Sequence, residues 1–189
     1  MTYPDHWNKL DHETPDEDLV ELARLAKSAS CVNCISGTII VEVGSWVGGT
    51  AWAMTPYAHR VYCIDHWIGC PDGDQFGDRL GAIAKTANVF DTFCANTREQ
   101  LFKKIIPLTG TSAQYAKIWP FPVSMVFLDG DHEKCAEDIR LWMPHVAPGG
   151  ILCGHDLFMY DAVTAAVKEL RKTHDVSFSG LVWSMVVKE

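Results

Sequence analysis

The sequence predicts an α/β fold, a doubly wound parallel sheet with helices on both faces and a site at its carboxyl edge. Three observations carry this prediction. Short, continuous apolar runs rich in β-branched residues recur along the 189 residues with helical segments between them, and strands apolar on both faces are strands covered on both faces. The run Ser124 to Leu128 delivers Asp129-Gly130-Asp131-His132, and the run Ile151 to Cys153 delivers Gly154-His155-Asp156. Carboxylates and imidazoles that follow buried parallel strands gather where open α/β sheets bind their ligands.

The elements follow in chain order. Thr14-Pro15-Asp16-Glu17 reads as a helix start, with Thr14 as N-cap, Pro15 at the first helical position and Glu17 closing a capping box. Leu19, Leu22, Ala23, Leu25 and Ala26 continue it as an apolar stripe to about Ala29. Strands are predicted at Thr38 to Val43, Arg60 to Ile64, Ile105 to Leu108, Ser124 to Leu128 and Ile151 to Cys153. Helices are predicted at Thr50 to Tyr57, Ala87 to Thr97, Ala113 to Trp119, Glu133 to His145 and Asp161 to Thr173. This alternation implies right-handed βαβ units. The tail, Val176 to Ser179 and Leu181 to Val187, reads as two strands around Gly180, too close for a helix between them and therefore antiparallel. Pro148-Gly149-Gly150 breaks the chain before the fifth strand.

Length and composition narrow the possibilities. A chain of 189 residues is one domain with one continuous core, here a core of residues 37–188 preceded by an arm of residues 1–14. Sixteen basic against twenty-four acidic residues give a net charge of -8, with the basic residues scattered, which excludes a phosphate-binding face and hence nucleic acid. No apolar run approaches the roughly 20 residues that span a bilayer, so no membrane partner and a cytoplasmic location are expected. Seven cysteines, with Cys63 and Cys153 inside predicted strands, fit a reducing compartment. Cys31-Val32-Asn33-Cys34 has the spacing of half a zinc site but no second pair, and reads as two incidental thiols. Trp119, Trp142 and Trp183 read as packing between helices and sheet.

The first predicted strand ends in Glu42-Val43-Gly44-Ser45-Trp46-Val47-Gly48-Gly49-Thr50 and runs into a helix. Glycines there let the backbone turn sharply and approach a ligand. The run departs from GxGxxG, and an acid two residues before the first glycine suits a cationic ligand and repels a pyrophosphate. The second strand delivers Asp65-His66-Trp67. A carboxylate at that point can accept both hydrogen bonds of a ribose diol, or cap a loop; Trp67 can stack on an adenine or close the core. Gly110-Thr111-Ser112 follows the third strand, where the hydroxyls can hold an adenine edge or Ser112 can cap the next helix.

Together with Asp129 to His132 and Pro148 to Asp156, these segments resemble the class I S-adenosylmethionine-dependent methyltransferases, most of all the small-molecule O-methyltransferase branch of macrocin-type and catechol-type enzymes. The resemblance spans about Gly37 to Lys188. It implies a Rossmann-like sheet of seven strands, the last antiparallel, and S-adenosylmethionine as cofactor. It places Glu42, Gly44 and Ser45 about the methionine portion, Asp65 at the ribose, and Thr111 with Ser112 near the adenine; Gly48, His66, Trp67 and Asp129 are expected to complete the cofactor site. In the metal-dependent branch the counterparts of Asp129, His155 and Asp156 hold Mg²⁺. That branch more usually carries oxygen donors at the second pair, so His155 is a departure that favours a transition metal. His132 stands where macrocin-type relatives carry a general base; the structural alternative is a helix cap. The expected partners are a small-molecule acceptor and further copies of the same chain. Three other readings share the fold. A nicotinamide-dependent oxidoreductase would want a regular GxGxxG and no Glu42, a non-catalytic cofactor-binding domain would retain the pocket alone, and a hydroxylase would employ the metal trio. The stretch Ile68 to Gly81 is a candidate lid.

Overall fold

The computed structural model describes residues 14–30, 37–68 and 89–188. Seven strands, β1 (Ile39–Val43), β2 (Arg60–Asp65), β3 (Ile105–Thr109), β4 (Val123–Leu128), β5 (Val146–Gly154), β6 (Ser177–Ser179) and β7 (Val182–Val186), form one sheet in the order β3-β2-β1-β4-β5-β7-β6. The first five run parallel, and β7 lies antiparallel to both β5 and β6. Six α-helices among the described residues complete it: α1 (Asp16–Ala29), α2 (Gly49–Met54), α3 (Val89–Thr97), α4 (Ser112–Ile118), α5 (Cys135–Trp142) and α6 (Asp161–Leu170). None is long and apolar enough to cross a membrane. The order reverses between β1 and β4, the kind of switch point at whose carboxyl ends open α/β sheets place their ligands.

The continuous apolar runs have the predicted cause. Every residue of β1 and β4 is buried, and alternate side chains enter two separate cores. Val41, Val43, Val126, Leu128 and Leu152 pack under Ala116, Ile139, Val163 and Val167 of α4, α5 and α6. Ile40, Met125, Phe127, Ile151 and Cys153 pack under Leu22, Ala26, Ala51, Met54 and Phe93 of α1, α2 and α3. Trp142 and Trp183 are fully buried and edge the first core, as expected of packing residues, and Cys63 and Cys153 are buried free thiols.

Several boundaries differ from prediction, among them the helix expected over Thr50 to Tyr57, which ends at Met54 and closes as a 3-10 turn, Thr55–Tyr57. α1 starts at Asp16 with Pro15 as N-cap and no side-chain cap bond, because Pro15 is extended (φ -54°, ψ 146°) and stands outside the first turn; the Thr14 cap with its capping box is not formed. β5 starts at Val146 and runs through Pro148-Gly149-Gly150, which forms a bulge, since Val123 pairs Val146 but Met125 pairs Ile151. The predicted helix Glu133 to His145 opens and closes as 3-10 turns, His132–Lys134 and Met143–His145, around α5. α6 stops at Leu170, three residues early. The arm before Thr14, the Cys31/Cys34 pair and the candidate lid beyond Ile68 lie outside the described residues.

Candidate active site

Sheet register places the tips of β1, β2, β4 and β5 side by side. Val43 pairs with both Ile64 and Leu128, and Leu128 pairs with Gly154. Three backbone bonds continue the ladders past the strand ends: Gly44 donates to Ile64, Asp129 to Val43 and His155 to Leu128. Glu42, Asp65, Asp129, His132, His155 and Asp156 are thereby gathered at one edge.

Glu42 shares the strand parity of Ile40 and points into the layer of α2. One oxygen accepts from the Thr50 hydroxyl at 2.5 Å, while Oε2 and the nearby Ser45 hydroxyl are buried with no hydrogen-bond partner. Burial pushes the Glu42 carboxyl up to about 7, the side chains of Ser45, Thr50 and Cys63 only partly offsetting it and the charge of Asp65 adding to it. Gly44 holds φ +82°, and a Cβ there would stand 2.1 Å from the Asp129 carbonyl oxygen. The glycine is therefore required by the approach of two loops of the protein itself, a closer cause than the ligand approach read from sequence. Gly48 likewise faces Phe93 and Thr97 of α3, 2.6 Å from a built Cβ to the Thr97 methyl.

Asp65 clamps the loop after β1. Its Oδ2 accepts from the amides of Ser45 and Trp46 at 3.0 and 2.9 Å, and its Oδ1 from the amide of Trp67 at 2.8 Å. Trp46 and Trp67 both hold left-handed φ, 44° and 49°, so the carboxylate secures two strained turns at once. Of the two readings of Asp65, the structure shows the loop cap; of about four lone-pair sites on the carboxylate, three are taken by these amides. His66 is exposed at the rim, its Nδ1 accepting from Ile68. Trp67 closes the core and is not free to stack on a base: its ring packs between Phe90 and Phe93 with centroids at 4.9 and 5.3 Å, and its indole N–H donates to Trp46.

After β3 the cap is Thr111, not Ser112. Thr111 and Gln114 form a reciprocal capping box for α4. The Ser112 hydroxyl donates to Asp138 at 2.5 Å and accepts from the Trp142 indole at 2.8 Å, so its one donor is committed inside the protein and unavailable to an adenine edge. Burial lifts Asp138 to about 6 despite that bond.

The reactive end lies between β4 and β5. Asp131 caps the 3-10 turn after β4, accepting from the Glu133 amide and pairing with Lys134 at 2.9 Å. The cap role foreseen as an alternative for His132 is thus taken by its neighbour, and the imidazole is released toward Asp156. His132 Nε2 lies 2.7 Å from Asp156 Oδ2, and its ring stacks on Tyr160 at 3.7 Å and 9°. Burial lowers the His132 pKa, but Asp156, Asp129 and Asp131 more than offset this and leave it raised. Asp129 is pushed up by burial and by the charges of Asp156 and Glu42, with His155 opposing. Asp156 is held well below the usual carboxylate range by His132 and His155, which overcome its own burial.

The sequence expectation joined Asp129, His155 and Asp156 as metal ligands. Among the described residues, the group whose potential ligand atoms all lie within 4.8 Å of one another is instead Asp129, His132 and Asp156. His155 is buried, with Nε2 3.1 Å from Asp18 Oδ2 and Nδ1 3.2 Å from Asp156 Oδ1. Burial lowers its pKa, yet Asp156, Asp129 and Asp18 outweigh this and raise it to about 9. An imidazolium bonded at both nitrogens has no lone pair for a cation. Sequence reasoning missed Asp18 and Tyr160, and the bond from Thr50 to Glu42. Asp18 had left a signal, since it falls on the same helical face as Leu22 and Leu25, a carboxylate on an apolar stripe.

Solved structures share this architecture. The O-methyltransferase NovP is 21% identical, with 92% of this chain covering 80% of that one at a TM-score of 0.71. A putative O-methyltransferase from Klebsiella pneumoniae is 13% identical (97% of this chain, 86% of that one, TM-score 0.65). A putative methyltransferase from Streptococcus mutans in complex with SAH is 11% identical (92% and 98%, TM-score 0.64). Residues 41–157, from β1 to just past β5, match a family model described as a methyltransferase domain, and they contain the glycine turn, the Asp65 clamp and the His132–Asp156 pair. This chain belongs to that methyltransferase-domain family.

Proposed function

We propose that the protein transfers the methyl group of S-adenosylmethionine to a hydroxyl of a small molecule, with His132 as general base. The observation behind this reading is the pairing of His132 with an ionised Asp156 at the edge that also carries Glu42 and Asp129. The cofactor fits the residues present: Glu42 Oε2 and the Ser45 hydroxyl are buried without partners, and two desolvated carboxyls, Glu42 and Asp129, leave negative charge that a cationic nucleoside would compensate. When bound, it supplies an electrophilic methyl on a sulfonium.

The chain's own residues do the rest. With Nε2–H donating to Asp156, His132 presents Nδ1 as the proton acceptor for the substrate hydroxyl, and Asp156 stabilises the imidazolium that results. Tyr160 holds the ring plane by stacking. Asp65 keeps the turn after β1 in shape, and alignment of nucleophile, carbon and sulfur supplies most of the acceleration. A second reading, with divalent-metal assistance, is favoured by the convergence of Asp129, His132 and Asp156; the imidazole would select a transition ion over Mg²⁺. The two readings compete for the one lone pair of the neutral His132 ring, which either takes the substrate proton or ligates an ion.

Calorimetry with S-adenosylmethionine and with NADH tests the cofactor, and binding restricted to NADH rejects the reading. A panel of small phenols and sugar hydroxyls, with labelled methyl, tests the reaction. His132→Asn should remove turnover while leaving cofactor affinity nearly intact. Turnover that survives exhaustive chelation supports the base, and turnover restored only by added Mn²⁺ or Fe²⁺ supports the metal.

A further inference from the structure

Asp18 lies in the first turn of α1 and is 1% exposed, 114 positions before His132 in sequence, yet it stands at the end of an unbroken line of contacts that reaches the base. Its Oδ2 is 3.1 Å from His155 Nε2; His155 Nδ1 is 3.2 Å from Asp156 Oδ1; Asp156 Oδ2 is 2.7 Å from His132 Nε2. Each carboxylate in the line uses one oxygen for each neighbour. The other oxygen of Asp18 accepts from the Leu181 amide at 3.3 Å, in the turn of the tail hairpin. Gly180 in that turn is left-handed (φ +58°), and a Cβ on it would lie 2.2 Å from Asp18 Oδ1, so the absence of a side chain admits the carboxylate.

A charged side chain at a helix N-terminus needs no further role, because the dipole favours it. Asp18 is different in being buried and in choosing its partners from the far end of the chain. A first-turn acid serving the dipole alone would be solvated, as the adjacent Asp16 and Glu17 are. His155 also ceases to be an anomaly: it departs from the oxygen donor usual there because a carboxylate from α1 occupies the place facing it.

We propose that Asp18 is a positioning residue for His132, acting through His155 and Asp156, so that the docking of α1 against the tail hairpin sets the aim of the base. The proposal rests on the reading of His132 as base, and the test separates the two. Asp156 holds a left-handed backbone (φ 60°), and among the described residues its side chain is held by the two imidazoles on either side. Loss of the Asp18 contact frees the His155 ring to rotate, releases Asp156 Oδ1 and lets Oδ2 swing from His132.

The test uses the full chain with ¹⁵N-labelled histidine. In Asp18→Asn, which preserves shape, the ring resonances of His132 should shift along with those of His155, although His132 does not touch Asp18. Gly180→Ala, which keeps every group of the line and displaces the Asp18 carboxylate, should shift the same two rings, and it serves if Asp18→Asn does not fold. On the panel hydroxyl turned over fastest, kcat should fall about tenfold or more with KM for S-adenosylmethionine unchanged. A shift confined to His155, with His132 unmoved in a folded variant, overturns the positioning role whatever the activity. Retained turnover in His132→Asn instead overturns the base, and is read independently of either variant.

Discussion

Glu42 is a carboxyl group with one oxygen held by Thr50 and the other making no hydrogen bond, inside a layer of apolar side chains. Its folded pKa, about 7, lies above the ordinary 4.5, so the folded state binds the proton more tightly than the unfolded chain does. The stability this confers is complete below about pH 4.5 and is lost as pH rises through 7, up to about 3 kcal/mol by linkage. Glu42→Gln should flatten the decline of the unfolding midpoint between pH 5 and 8 in the absence of cofactor, and weaken cofactor binding because the compensating charge is gone; an unchanged pH profile would show that Glu42 titrates normally. Asp65 makes a different kind of contribution. Asp65→Ala removes the acceptor of three amides, and calorimetry should find cofactor affinity lower by about 1 to 3 kcal/mol.

At the scale of elements, the site is an agreement between loops. The turn after β1 is pinned on one side by Asp65 and on the other by the backbone of Asp129, which leaves no room at Gly44. Gly44→Ala should therefore cost more than the ~1 kcal/mol of an ordinary left-handed glycine, reaching about 3 kcal/mol or beyond because the obstacle is backbone and cannot rotate away. Denaturant unfolding checks this, and a loss under 1 kcal/mol would mean that the two loops separate freely. The helical elements were legible from periodicity, but their ends were not. Pro15, Pro144 and Pro148 each stand at a boundary that differs from prediction, since a proline restricts its own φ and removes a donor without dictating whether the neighbours are helix, 3-10 turn or bulge.

For the whole molecule, the exposed carboxyl edge is where uncompensated negative charge collects, and a cation-bearing ligand should stabilise the fold through it. At a hundred times its dissociation constant, S-adenosylmethionine should add about 2.7 kcal/mol, a rise of roughly 5 to 10 °C in Tm for a domain of this size. NADH should give no comparable rise in a thermal melt; equal stabilisation by both would point to general nucleoside binding.

How much of this could be read without coordinates follows from what each feature depends on. The run of buried strands, the reversed tail and the residues at the strand tips are local properties: five apolar stretches with turn residues after them already place Glu42, Asp65, Asp129, His132 and Asp156 at one edge. What those side chains do there was decided only in three dimensions. Trp67 turned inward because Phe90 and Phe93 of α3 offer it an aromatic seat. Ser112 was taken by Asp138 and Trp142. His155 was drawn from the metal set to Asp18, a partner 137 positions away. A polar group's partner is set by which donor lies within about 3 Å after packing, and sequence spacing carries no information about that distance once the chain has crossed the sheet.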